Sequence, residues 1–102
     1  MNRTIVALLS LTSVVAFANA AAADVANGEK LAKRWCASCH VVASDQQRGS
    51  TQAPPFSATA KRRGFDAGKL ALYLLLPHPK MPDMNLSRQE AADLAVYISR
   101  QK

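Results

Sequence analysis

The chain is 102 residues long, with 13 basic and 7 acidic side chains for a net charge of +6, and it holds two cysteines, two histidines and four glycines. This length allows one domain, which excludes large barrels and two-domain nucleotide enzymes. An apolar share of 49% excludes disorder along the whole chain, and the few glycines form no phosphate-cradling pattern.

Residues 1–20 read as a secretory signal peptide. Arg3 gives a positive start, the stretch from Thr4 to Phe17 is uncharged and rich in Val, Leu and Ala, and Ala18-Asn19-Ala20 is a small-x-small cleavage site. An uncleaved membrane anchor is the alternative, since the uncharged run to Ala23 approaches the ~20 residues that a spanning helix needs. Cleavage after Ala20 leaves one domain, residues 21–102, with a charge of +5 and only 22 apolar side chains larger than alanine. So small a core calls for a staple such as a disulfide, a metal or a cofactor.

Three helices and one long irregular loop are expected in the mature chain. The first helix is predicted over 25–39, capped by Asp24, with Gly28, Ala32 and Trp35 on one face. Gly28 would permit close approach of another helix. From Val41 to Arg63 no period survives, and Ala53-Pro54-Pro55-Phe56 breaks any helix. The second helix is predicted over 67–76 behind Asp66. It is apolar on all sides and should be covered on most of its surface. Pro77 stops it, and Pro77, Pro79 and Pro82 stiffen the loop that carries His78, Met81 and Met84. The third helix starts at Ser87, where Ser87-x-x-Glu90 is a capping box, and its apolar face is Ala91, Leu94, Ala95 and Ile98.

Cys36-Ala37-Ser38-Cys39-His40 is C-x-x-C-H, the pattern of haem attachment. Two thiols at this spacing can each add to one vinyl group on the same porphyrin edge, and the adjoining imidazole then faces the iron. A disulfide here would close too small a loop to staple a domain. A thioredoxin-like pair needs a βαβ pattern, and no strand pattern is visible. A zinc site would need four ligands from Cys36, Cys39, His40 and His78, and His40 is too close to Cys39 for the usual spacing. Haem iron also takes a ligand on its other side, for which Met81, Met84 and His78 are the candidates.

With these residues in place the chain resembles the class I c-type cytochromes, the small bacterial monohaem proteins, over essentially all of residues 21–102. The likeness rests on Gly28 eight residues before Cys36, the attachment motif and Ala53-Pro54-Pro55-Phe56. It continues through Pro77-His78-Pro79-Lys80-Met81-Pro82, Leu86-Ser87-x-x-Glu90 and Asp93-Leu94-Ala95-Val96-Tyr97-Ile98. The resemblance implies an all-α cytochrome c fold, three main helices and long loops wrapped around one covalent haem c. It implies thioethers at Cys36 and Cys39, His40 as the proximal iron ligand and the Pro54 carbonyl on the other ring nitrogen of His40. Met81 is the implied distal ligand, with Met84 as the alternative. The first and last helices should cross, with Gly28 near Leu94 and Tyr97. The family often carries an aromatic residue where this chain has Ala32, and Trp35 is expected to fill that gap.

The implied function is a periplasmic one-electron carrier with His/Met ligation, and no catalytic residue is expected. A tightly bound cytochrome subunit of a periplasmic dehydrogenase is the alternative, and a haem enzyme or sensor with an open iron site is a reading of another class. Lys30, Lys33, Arg34, Lys61-Arg62-Arg63, Lys69, Lys80, Arg100 and Lys102 make a basic surface that would steer acidic redox partners. The expected donor is a dehydrogenase or a quinol-oxidising complex, and the expected acceptor is a terminal oxidase or reductase. An exported chain without a recognition motif is not expected to bind nucleic acid. Membrane contact is expected only through a partner or an uncleaved anchor.

Overall fold

Asp24 starts the first helix by accepting a hydrogen bond from Asn27 N–H (3.1 Å), and α1 then runs over Val25–Trp35. The computed structural model describes residues 22–49, 53–76, 78 and 80–102. The expected signal peptide, residues 1–20, lies outside these, as do Pro77 and Pro79. Among the described residues every regular element is a helix: α1, α2 (Phe56–Ala60), α3 (Ala67–Leu75) and α4 (Arg88–Ser99). The all-α expectation holds. No described helix is long and apolar enough to cross a membrane.

Helix α4 is the hub, and each of the other three packs against it. Its start is the expected capping box. Ser87 Oγ accepts from Glu90 N–H (3.0 Å), and the Glu90 carboxylate accepts from Ser87 N–H (3.3 Å). Ala91, Leu94, Ala95 and Ile98 are all buried, and Asp93 and Tyr97 are buried beside them. A helix covered from several directions buries more than one stripe.

The α1–α4 crossing is close because Gly28 has no side chain. A Cβ there would stand 2.1 Å from the Asp93 carbonyl oxygen and 2.8 Å from Tyr97 Cβ. The Asp93 carboxylate, 2% exposed, locks the crossing. It accepts from Asp24 N–H (2.7 Å), Asn27 Nδ2 (2.9 Å) and Gln89 Nε2 (2.8 Å). Burial pushes this carboxyl up, but the three hydrogen bonds outweigh burial and hold it below its ordinary value.

Four expectations need correction. Helix α1 ends at Trp35 and not at residue 39, because Cys36 N–H (2.9 Å) and Ala37 N–H (3.1 Å) converge on the Ala32 carbonyl and stop the helical progression. Trp35 does not fill the crossing. It lies two turns past Gly28, is 37% exposed and has the Arg34 guanidinium 4.9 Å from its ring centre. The proline pair does not keep residues 41–63 free of helix. Pro55 is the N-cap of α2, a place where its fixed φ and missing N–H cost little. Helix α3 is not covered on most sides. Leu74 is buried against α4, but Leu72 (64%) and, at the C-cap, Leu76 (62%) are exposed. Asp66 does cap α3, accepting from Lys69 N–H at 3.0 Å.

Candidate functional site

The attachment motif sits on the turn that ends α1. The Cys36 carbonyl accepts from both Cys39 N–H (3.1 Å) and His40 N–H (2.8 Å), and this tight turn brings Cys36, Cys39 and His40 to one cavity. Cys36 and Cys39 form no disulfide. Cys39 is exposed. Cys36 is buried, and that burial, with a smaller effect from neighbouring Cys39, pushes its thiol up to about 11.

His40 Nδ1 lies 2.6 Å from the Pro54 carbonyl oxygen. A carbonyl only accepts, so Nδ1 carries the proton and Nε2 keeps its lone pair for a metal. The ring also packs against Phe56 (centroids 5.4 Å), which meets Tyr97 edge-on (6.4 Å, 70°). Tyr97 donates its buried hydroxyl to the Val42 carbonyl (2.7 Å), so the segment after His40 is fastened to α4.

Gln46 closes that segment, a role the sequence reading missed. Its Oε1 accepts from Val42 N–H (2.8 Å), and its Nε2 faces the carbonyls of Ala37 (3.1 Å), His40 (2.9 Å) and Arg48. Phe56 N–H donates to the Val41 carbonyl (2.9 Å) and ties in α2. No signal marked Gln46 in advance, because it lies in a polar run that reads as solvated loop.

The cavity encloses about 510 Å³ with mostly apolar walls. That is within the roughly 300–1,000 Å³ usual for cofactor pockets. Trp35, Pro54, Tyr73, His78, Lys80, Met81 and Met84 also line it. Met84 belongs to the buried core, whereas Met81 is half-buried against it. Met84 sits inside a tight turn. Asp83 Oδ1 accepts from Asn85 N–H (2.9 Å), and Asn85 takes the left-handed conformation (φ 49°) that asparagine tolerates. A smaller cavity of about 350 Å³ lies among Val42, Phe56, Lys61 and the C-terminal residues and contains no residue of the C-x-x-C-H motif.

The donor set fits a covalently attached haem. Two cysteines, one imidazole with a prepared lone pair and two thioethers border one apolar cavity. His78 also lines the cavity; its Nε2 is covered and has no hydrogen-bond partner among the described residues. Among the described residues no group of three or more His, Cys, Asp or Glu side chains could hold a metal ion by itself, so the four residues considered for zinc form no such cluster.

Comparison with known proteins agrees with this chemistry. The cytochrome c family model matches residues 25–102. The chain belongs to the cytochrome c family. It is 56% identical over 80 residues to cytochrome c-552 of Bradyrhizobium diazoefficiens, an alignment covering 78% of this chain and 77% of that protein. No solved structure matches the chain. As a small class I cytochrome c it holds haem c covalently and carries electrons.

Proposed function

We propose that this cytochrome c is an exported one-electron carrier of the periplasm, with His40 and Met81 as the axial ligands of its iron. The observation that carries this reading is the cavity where Cys36, Cys39 and His40 meet Met81, with His40 Nδ1 held by Pro54. When bound, haem c supplies the one-electron ferric–ferrous couple. Cys36 and Cys39 hold the macrocycle through thioethers, and Pro54 fixes the plane and tautomer of His40. Met81 supports the ferrous state, because a thioether ligand raises the reduction potential. Met84 serves as core packing, which its deeper burial favours. The amino-terminal pattern of residues 1–20 supports export.

The ligand assignment is tested by the weak sulfur-to-iron absorption band of the oxidised protein. It should vanish in Met81→His and persist in Met84→Leu, and the reverse would transfer the role to Met84. The partners are redox proteins with acidic docking faces. Lys80 is exposed at the cavity rim and would meet them first. Lys80→Glu should slow electron transfer at low ionic strength and lose that effect at high salt. Equal rates and equal salt dependence would remove Lys80 from the docking surface.

A further inference from the structure

Two histidines border the cofactor cavity, and they are prepared in the same way. His40 Nδ1 is 2.6 Å from the Pro54 carbonyl, and His78 Nδ1 is 2.5 Å from the Leu76 carbonyl. In the neutral form of each ring the contact places the proton on Nδ1 and makes Nε2 the acceptor nitrogen. The His78 ring is held further by stacking on Tyr73, with centroids 4.3 Å apart and planes 21° apart. Its Nε2 is shut off from solvent, without a hydrogen-bond partner among the described residues. Met81 N–H donates to the His78 carbonyl (3.5 Å), so the imidazole and the thioether leave the same turn of chain and line the same cavity.

We infer that His78 is a reserve ligand of the haem iron, which takes the sixth position through Nε2 when the Met81 thioether is removed. The inference rests on the reading above, in which Met81 is the resident ligand. Imidazole nitrogen is a good donor to iron. His78 stays in second place because binding iron would disturb its Leu76 hydrogen bond and its Tyr73 stack. Met81 gives up no polar contact when it binds. The loop thus carries a thioether in use and an imidazole behind it, and the position is not opened to outside ligands when the first donor leaves.

The test uses the haem-loaded protein and its Met81→Ala, His78→Ala and doubly substituted variants. Met81→Leu serves as a second form in which the cavity stays filled. The readouts are the spin state of the oxidised iron, the sulfur-to-iron band, and the affinity for added imidazole. Met81→Ala should lose the band, remain low-spin with the signature of two imidazoles, and show a lowered reduction potential. Removing His78 as well should give high-spin iron. If His78 fills the position nine times in ten, added imidazole should bind the double variant about tenfold more tightly than Met81→Ala. His78→Ala alone should keep the band. High-spin iron in Met81→Ala, with imidazole binding equal to that of the double variant, overturns the reserve role and leaves the Met81 assignment intact. Low-spin iron in the double variant also overturns it, by pointing to Met84 or Lys80 as the replacement. Persistence of the band in Met81→Ala would overturn the Met81 assignment itself, and the reserve role with it.

Discussion

At the crossing of α1 and α4 the buried Asp93 carboxylate accepts three hydrogen bonds from within the chain, and Gly28 lies against the Asp93 backbone. Around the cavity, His78 Nε2 is buried with no partner among the described residues, and Leu72 of α3 and Leu76 just past its end are exposed. The crossing has its polar groups matched before any cofactor is considered. On the cavity side the donors converge on one apolar space that a haem would fill. The crossing is held by contacts within the chain, whereas the residues around the cavity are arranged to hold a haem. A group that binds only the folded state adds its binding free energy to folding.

The strongest way to break this contrast is to force the crossing apart. Gly28→Ala places a methyl group against backbone, which cannot rotate away, so α1 and α4 must separate. A loss of about 3 kcal/mol in denaturant unfolding of the haem-loaded protein is expected. A loss below about 1 kcal/mol would mean that the crossing yields easily and that the cofactor carries more of the stability than the contrast allows.

Asp93→Asn is next, at about 2 kcal/mol, because an amide turns an NH₂ group toward donors that need an acceptor. The sign of its pH dependence follows from the lowered carboxyl. Asp93 contributes its full stabilisation above the ordinary value of 3.8 and loses it as pH falls through the lower folded-state value. The gap between wild type and Asp93→Asn should therefore be constant near neutrality and narrow only in acid. Unfolding midpoints measured from neutral pH into acid would show this. A gap that closes well above 3.8 would mean that the carboxylate is not held in its charged form.

Tyr97→Phe sits between the two regions, since Tyr97 belongs to α4 and its hydroxyl holds the segment after His40. The Val42 carbonyl would lose its donor in a buried place, for about 1–2 kcal/mol. The reduction potential should move little if Pro54 alone orients His40. A marked shift would show that the α4 anchor also reaches the iron ligand.

Much of the crossing was legible in the order of residues, and less of the cavity side was. Asp24, Asp66 and Ser87 marked three helix starts because capping acts within three or four residues. The apolar face of α4 followed from its period, and C-x-x-C-H carried its chemistry in its spacing. The short helix α2 escaped because five residues show no period and its proline reads as a breaker. Asp93 gave no sign of burial, since its donors lie 69, 66 and 4 residues away. Gln46 was hidden in a polar run for a similar reason. Trp35 was misread because helical spacing identifies a face but not where the neighbouring helix ceases to cover it. The all-round apolar pattern of α3 said that cover was wanted, but not that the chain supplies it on one side only.

That one-sided cover gives the smallest expected effect. Leu72 on α3 and Leu76 at its C-cap are both exposed, and their burial contributes little to the folded chain. Leu72→Gln and Leu76→Gln should each change the stability of the haem-loaded protein by no more than about 0.5 kcal/mol. Leu74→Gln is the control on the inner face. It puts an amide into the core beside α4 and should cost several times more. If the outer substitutions cost as much as the inner one, something covers α3 in the loaded protein, and the cavity side is better closed than its exposed leucines indicate. If they cost nothing, the exposed face is free of any role in folding. Its leucines then stand next to the cavity mouth at Tyr73 as apolar surface open to contact from outside the chain.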